Sequence, residues 1–409
     1  MADSLTSKPG KNAWEHGVAT LENNVVQTLS SQGLLSADNR RATRIPLNVQ
    51  ANFRVTETTD KWSLAQTSNM SQVGVRLISD DLSLKTGQEI DLELELPDTG
   101  KNFQMRGRIV WTRSLNPPGG KSQLEFGVAF ENIKRISGKE KIFHFFAERL
   151  CQLSIKDPGG VEVRPAMTLD EVKAGYHLLY AEYMRRGYCE PNALEMHYNY
   201  FSFLPETEIF VLIMNGELIG TVSLFLDSPC GLPMESIFKE EVAPIRQPGR
   251  KLAEVGALAI CGDRFGRKVF SLTHFAKQKA LFNLFKVVQN YSQFLLGVTD
   301  ILIAVHPRHT DLYSYLVFES VGPVRTYSDG KAALPMWHNI QKYQEKTANT
   351  NLNRFTYGEP RKLDLHDQRY RWKEEVVREF LIEKRDLWSK IPPQSQAYLQ
   401  SFYPSLKNL

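Results

Sequence analysis

The sequence predicts an α+β multidomain protein: a small antiparallel β-barrel followed by a mixed α/β domain, with helical termini. Three observations carry this expectation. Short strand-like segments separated by turn residues crowd residues 40–131. From about residue 161, helical and strand-like patterns mix instead. Between the two regions lies Lys156-Asp157-Pro158-Gly159-Gly160, the best linker signal in the chain. The expected divisions are a helical lead-in over 1–35, the barrel over 36–155, the mixed domain over 161–345 and a C-terminal helical extension over 346–409.

The elements follow in order. Trp14, Val18, Leu21, Val25 and Leu29 recur at helical spacing and mark one apolar stripe. Strands are expected at Asn48–Thr56, Gly74–Ile78, Glu89–Leu96, Asn102–Thr112 and Leu124–Phe130. The turns are Pro97-Asp98-Thr99-Gly100 and Asn116-Pro117-Pro118-Gly119-Gly120. Several short strands at this spacing suit an antiparallel barrel, closed by a helix over roughly Gly138–Leu153. Beyond the linker, Leu169–Arg186 reads as a helix with Asp170 and Glu171 in its first turn. Asn215-Gly216 joins Glu208–Met214 to Leu218–Phe225 as a two-residue hairpin. Leu252–Ile260 and Ile301–Val305 read as strands, with a long helix between them whose face runs from Val269 to Leu295. Thr310–Phe318 is a short helix. A last helix over about Asp367–Trp388 stops before Pro392-Pro393.

Composition bounds the function. The 409 residues are 42% apolar and 23% charged, which excludes a mostly disordered chain, a collagen-like chain and a coiled-coil rod. The longest apolar runs, Ile209–Met214 and Ile301–Val305, fall far short of the roughly 18 residues a membrane span requires. The first residues, MADSLTSKPGKNAWEH, contain no apolar secretory core, so a cytoplasmic location is expected. A net charge of +4 is too balanced to indicate nucleic-acid binding by itself, so any anion site must be local. Cys151, Cys189, Cys230 and Cys261 form no CxxC pair and read as free thiols. His306 and His309 flank Pro307 with no acidic cluster nearby, so no metal is expected. The Trp372, Val376, Phe380, Leu381 and Trp388 stripe suits core or a homodimer surface better than a membrane anchor, because its polar face carries Glu374, Glu375 and Glu379.

Two constellations carry chemistry. Arg40, Arg41 and Arg44 gather three guanidinium groups just before the first strand. Each offers a planar fork that grips a phosphate or the edge of guanine. Twenty-five residues after Arg44 comes Asn69-Met70-Ser71-Gln72-Val73-Gly74. Asn69 and Ser71 can hydrogen-bond a base edge, and Gly74 permits a turn or a close approach. Taken separately, the halves also read as a solvated basic loop beside a surface turn. In order and at this spacing they resemble the PilZ domain motif RxxxR followed by [DN]xSxxG, over residues 36–150. Val110-Trp111-Thr112-Arg113 and Gly127-Val128-Ala129-Phe130 resemble the closing strands of the same family. The resemblance implies cyclic di-GMP binding by Arg40, Arg41, Arg44, Asn69, Ser71 and Gly74.

The second constellation is Leu252-Ala253-Glu254-Val255-Gly256-Ala257-Leu258-Ala259. Glu254 stands alone among apolar neighbours on a strand expected at the centre of a sheet. A carboxylate so placed has its pKa raised and can serve as a general base, unless an ion pair holds it. With Leu204-Pro205-Glu206-Thr207, Gly231-Leu232-Pro233-Met234 and Val305-His306-Pro307-Arg308-His309, this stretch resembles the FeeM-like N-acyl amino acid synthases, relatives of acyl-homoserine-lactone synthases within the GNAT-type acyltransferases. The resemblance covers residues 165–340. It implies transfer of a fatty acyl group from an acyl carrier protein to an amino acid or similar amine, with Tyr313 protonating the thiolate leaving group or, alternatively, only packing. Gly262-Asp263-Arg264-Phe265-Gly266-Arg267-Lys268 departs from the pyrophosphate loop of coenzyme A users, which favours a carrier-bound phosphopantetheine donor. Arg264, Arg267 and Lys268 then either meet the acidic carrier or form a solvated turn. Ala257 stands where lactone synthases carry arginine, which argues against lactone formation. A non-catalytic cyclic di-GMP adaptor, whose second domain only binds a partner or acyl ligand, is the competing reading.

Overall fold

The computed structural model describes residues 45–56, 61–71, 74–96, 101–116, 120–131, 147–148, 151, 161–261, 272–358, 368–384 and 386–408. The chain divides into two compact units: Met1–Leu150 with Phe265–Ala276, and Cys151–Arg264 with Lys277–Leu409. Arg40, Arg41, Arg44, Arg264, Arg267 and Lys268 lie outside the described residues, as do the lead-in helix and most of the helix expected over 138–153.

The first unit is built from β1 (Ile45–Pro46), β2 (Gln50–Val55), β3 (Ser63–Ser71), β4 (Gly74–Ser79), β5 (Glu89–Leu96), β6 (Lys101–Leu115) and β7 (Gln123–Phe130). Strand order is β1-β3-β2-β5-β6-β7-β4, and β3 also pairs with β4. Six strands thus close into the antiparallel barrel that the sequence predicts, and closure removes the exposed sheet edges. Alternate residues such as Phe53, Leu77, Leu92, Phe103, Phe126 and Val128 fill the interior. Phe53 and Phe126 meet edge to face at 5.6 Å. Sequence reading gave no strand at β3 or at the two-residue β1. The inward residues of β3 include the small Ala65 and Thr67, whereas its outward Leu64 is 60% exposed. Hydrophobic alternation is therefore nearly silent there.

The second unit follows the order β8 (Val161–Pro165), α1 (Leu169–Arg185), β9 (Thr207–Met214), β10 (Glu217–Leu226), α2 (Glu235–Val242), β11 (Leu252–Ile260), α3 (Leu272–Asn290), β12 (Asp300–Val305), α4 (Thr310–Tyr315), β13 (Glu319–Ser320), β14 (Arg325–Thr326), β15 (Ala332–Asn339), α5 (Ile340–Thr347), α6 (Asn351–Tyr357), α7 (Glu374–Arg378) and α8 (Pro393–Phe402). The sheet runs β13-β15-β12-β11-β10-β9-β8, with β14 on β15. Its β11–β12 pair is parallel, and the other described pairs are antiparallel. This is the mixed α/β domain expected, and the chain ends in helices.

Local sequence explains the helix starts and turns. The Thr168 hydroxyl caps α1 by accepting from the Glu171 amide, and the Glu171 carboxylate returns to the Met167 amide at 2.7 Å. Asn215 and Gly216 both take positive φ, 53° and 78°, as a tight hairpin requires. Two expectations need correction. The helix expected over Thr310–Phe318 ends at Tyr315, because Val317 adopts φ 62° and the Phe318 amide turns back to the Tyr313 carbonyl. Among the described residues, the helix expected over Asp367–Trp388 is helical over Glu374–Arg378 and Glu379–Glu383, and Trp388 opens a separate single turn, Trp388–Lys390. Before Glu374, the Tyr370 amide donates to the Ala166 carbonyl and the Trp372 indole to the Ser202 carbonyl, so tertiary bonds replace helical ones. Pro392-Pro393 does not end the fold: Pro393 opens α8, where its missing N–H costs nothing.

Candidate ligand and acyl-transfer sites

In the barrel, Ile45 pairs with Met70 and Pro46 with Asn69. Residues Ile45–Pro46 therefore run beside the strand that carries Asn69 and Ser71, while the arginine half of the motif lies outside the described residues. The three described motif residues differ in character. Asn69 is half-buried, whereas Ser71 is buried and its hydroxyl donates to the Gly74 carbonyl at 3.2 Å. A Cβ on Gly74 would lie 2.4 Å from the Val128 carbonyl oxygen. Gly74 thus lets β4 approach β7, and Ser71 closes the β3–β4 turn. Arg76, which sequence reading missed, stands directly opposite Asn69 and so shares its face. Its guanidinium lies 5.8 Å from the Trp111 ring centroid. That indole covers Gly127, where a Cβ would collide with it. Arg76 and Arg113 both hold the buried Glu125.

In the second unit, the parallel strands part company. β11 and β12 pair only through Leu252–Asp300, Ala253–Ile301 and Glu254–Leu302. Both strands continue, so a split opens immediately beyond Glu254. Burial follows the split: Leu252, Ala253 and Glu254 are buried, whereas Val255 to Leu258 are only half-buried. β11 also bulges, with Ala257 and Leu258 facing the single Val222, and Ala257 takes φ 50°.

Glu254 is 5% exposed. The Met234 amide, at the entry to α2, donates to its Oε2 at 2.7 Å. Among the described residues no cation pairs with it. Arg246 instead holds the neighbouring Glu235, at 2.5 Å, and Asp227. Burial pushes the Glu254 carboxyl up to about 8; the Met234 amide opposes this and the Glu235 charge adds to it.

Tyr313 lies on α4, half-buried, with its ring 5.7 Å edge-on to Phe318. Burial pushes its phenol up to about 12. Further residues gather around these two without any local motif. Tyr327 is raised first by burial and then by the Glu254 carboxylate. Tyr183, in the last turn of α1, is pushed up to about 12 by burial, with contributions from Tyr313 and Tyr188. Lys331 lies 6.0 Å from the Tyr183 ring centroid and 5.9 Å from that of Tyr188. Arg308 donates to the Tyr188 hydroxyl at 3.0 Å. No sequence spacing connects these side chains. Only the hairpin period around β14–β15 could have suggested that Tyr327 and Lys331 share a turn.

Residues 38–148 match the PilZ domain family, and residues 174–339 match the family described as N-acyl amino acid synthase FeeM. The chain joins a PilZ domain to a FeeM-like domain. Among solved structures, FeeM, an N-acyl amino acid synthase from uncultured soil microbes, is 25% identical over 48% of this chain and 97% of its own, with a TM-score of 0.39. The PilZ domain with c-di-GMP of YcgR from Escherichia coli is 13% identical over 29% of this chain and 99% of its own, with a TM-score of 0.24. Mutant forms of the spermidine/spermine N-acetyltransferase SpeG from Vibrio cholerae are 15% identical over 46% of this chain and 98% of their own, with a TM-score of 0.31. No curated protein matches the chain. Among the described residues of the PilZ and FeeM-like domains, no cluster could hold a metal ion and no helix is long and apolar enough to cross a membrane.

Proposed function

We propose that the chain is a cyclic di-GMP-binding N-acyltransferase. In this reading the FeeM-like domain moves a fatty acyl group from an acyl carrier protein to an amino acid. The observation that carries the reading is Glu254: a buried carboxyl with no cationic partner among the described residues, at the last paired position of a parallel strand pair that then splits. The split leaves one edge of β11 unpaired beyond Glu254. Such an edge offers amides and carbonyls to an extended arm such as phosphopantetheine.

The amine nitrogen attacks the thioester carbonyl and forms a C–N bond. Glu254 takes the proton released, directly or through a water. The C–S bond then breaks, and Tyr313, still protonated because its pKa is raised, gives its proton to the departing thiolate. Transfer of the proton from Glu254 to the tyrosinate restores both groups. Arg264, Arg267 and Lys268 meet the acidic carrier. In the PilZ domain, Arg40, Arg41 and Arg44 grip the phosphates and guanines of cyclic di-GMP beside Asn69, while Ser71 and Gly74 shape the turn that presents it.

Two measurements test this. Calorimetric titration with cyclic di-GMP is expected to show binding that Arg40→Ala and Arg44→Ala each weaken by about 1.5 kcal/mol or more; wild-type affinity in both variants contradicts the site. An assay with acyl carrier protein and a panel of amino acids is expected to yield N-acyl amino acids. Cyclic di-GMP binding without any amide product would leave a signalling adaptor instead.

A further inference from the structure

The segment that brings the Met234 amide to Glu254 is short, and one cation holds both its ends. It starts at Asp227, directly after β10, and ends at Glu235, the first residue of α2. The Asp227 amide donates to the Leu252 carbonyl at 3.0 Å, which anchors the start to β11. Arg246 lies just beyond α2. Its Nε and Nη2 donate to Asp227 at 2.6 and 2.9 Å, and its Nη2 and Nη1 to Glu235 at 2.5 and 3.3 Å. Both edges of the guanidinium plane are therefore in use, one on each carboxylate. Glu235 passes the restraint inward. Its Oε1 accepts from the Leu232 amide at 2.8 Å, and its own amide donates to the Leu232 carbonyl at 3.0 Å. Gly231, at φ 72°, lets the chain pass that carboxylate, since a Cβ there would lie 2.9 Å from Glu235 Oε1. The buried Leu232 and Met234 complete the turn, and the Met234 amide meets Glu254 Oε2 at 2.7 Å.

Resting on the reading of Glu254 as the base, we propose that Arg246 is its positioning residue: by joining Asp227 to Glu235, it fixes the 227–235 turn so that the Met234 amide stays on the Glu254 carboxyl. An N–H donor favours the ionised carboxyl, so a slack turn leaves Glu254 protonated over more of the pH range. The same guanidinium offsets the Glu235 charge, which opposes ionisation of Glu254. Both actions have one sign. The other surroundings of Glu254 change little across that range. Its cross-strand neighbours, Phe225 on β10 and Leu302 on β12, are apolar. Tyr327, before β15, stays protonated because burial raises its phenol. α1, which also packs on β11, carries Glu182, held by Arg185 and Arg186.

The test reads the turn and the carboxyl separately, on the full chain. Hydrogen–deuterium exchange with mass spectrometry is expected to find residues 228–235 exchanging at least about tenfold faster in Arg246→Gln, with β9 and β10 unchanged. Infrared difference spectra, referenced to Glu254→Gln, are expected to show the Glu254 midpoint raised by at least about half a pH unit in the same variant. Arg246→Lys keeps the charge but not the two-sided fork, so it should keep the faster exchange and recover only part of the midpoint. The pH limb of acyl transfer should move up with the midpoint. Wild-type exchange, or an unmoved or lowered midpoint, in Arg246→Gln overturns the proposal. Arg246→Lys behaving as the wild type in both measurements does the same, because charge alone would then suffice. Faster exchange across β9 and β10 as well would make Arg246 a support of the whole sheet and also overturn it. A raised midpoint without any amide product would sink the transfer reading and leave the positioning role; amide formation with an unmoved midpoint would do the reverse.

Discussion

Glu125 in the PilZ domain and Glu254 in the FeeM-like domain are both buried acids on strands, 3% and 5% exposed. Their surroundings differ in one respect. Arg76 and Arg113 flank Glu125, whereas among the described residues Glu254 receives a single backbone N–H and no cation, and lies near a second carboxylate, Glu235. A buried charge with two cations is compensated and holds strands together. A buried acid without a cation instead keeps its proton to a higher pH and can exchange it near neutrality. Burial alone does not single out an acid for chemistry; the proposed role of Glu254 rests on burial with no counter-charge among the described residues, at an open strand edge.

The largest effect should come from removing the exchangeable proton. Glu254→Gln is expected to lower acyl transfer by about 10²- to 10⁴-fold while the fold is kept. The wild-type rate should rise with pH through about 8, and that limb should vanish in the variant. A limb unchanged in Glu254→Gln would remove the residue from its role. Stability gives the next effect. The folded carboxyl titrates near 8 and an ordinary glutamate near 4.5, so between these values the folded state holds a proton that the unfolded chain has released. Stability is therefore fully present below about 4.5 and falls as pH rises to 8. Denaturant melts should find Glu254→Gln more stable than the wild type by an amount on the order of 3–5 kcal/mol at pH 9, with no gain at pH 4.

The paired acid should behave in the opposite sense. Glu125→Gln leaves Arg76 and Arg113 without their counter-charge and is expected to destabilise the barrel by about 1–3 kcal/mol at pH 7. The cost is moderated because the Arg113 side chain is 60% exposed. A neutral result would mean that the two guanidiniums are satisfied by solvent. The smallest effect lies in the bulge beside Glu254. Ala257→Gly removes the penalty of a left-handed alanine and should raise the melting free energy by up to about 1 kcal/mol. A loss of stability there would show that the methyl group contributes more by packing.

Legibility followed the strength of local signals. Leu252–Ile260 has the same bounds in sequence and structure because a short, mostly apolar run lies between the turn residues Pro248-Gly249 and Gly262-Asp263. Asn215-Gly216 was readable because few residues tolerate two successive positive φ angles. β3 was not, because Ala65 and Thr67 carry little hydrophobic weight while Leu64 points outward. The segment before α7 shows a tertiary override. Trp372 packs 4.7 Å from Phe203, and its indole bonds the Ser202 carbonyl, so a stripe with helical spacing is partly extended.

At the candidate sites the same division holds. The sequence by itself determined that a lone acid would sit on an apolar strand, and that an arginine cluster would precede an Asn-x-Ser-x-x-Gly turn, because residue type and periodicity are properties of adjacent positions. Only the tertiary structure decided that β12 leaves β11 at Glu254, that the Met234 amide donates to that carboxyl, that Arg76 faces Asn69, that Arg308 bonds Tyr188 and that Lys331 lies by the Tyr183 and Tyr188 rings. Strand register, desolvation and the field at a carboxylate are sums over neighbours far apart in the chain, and no local pattern contains those sums.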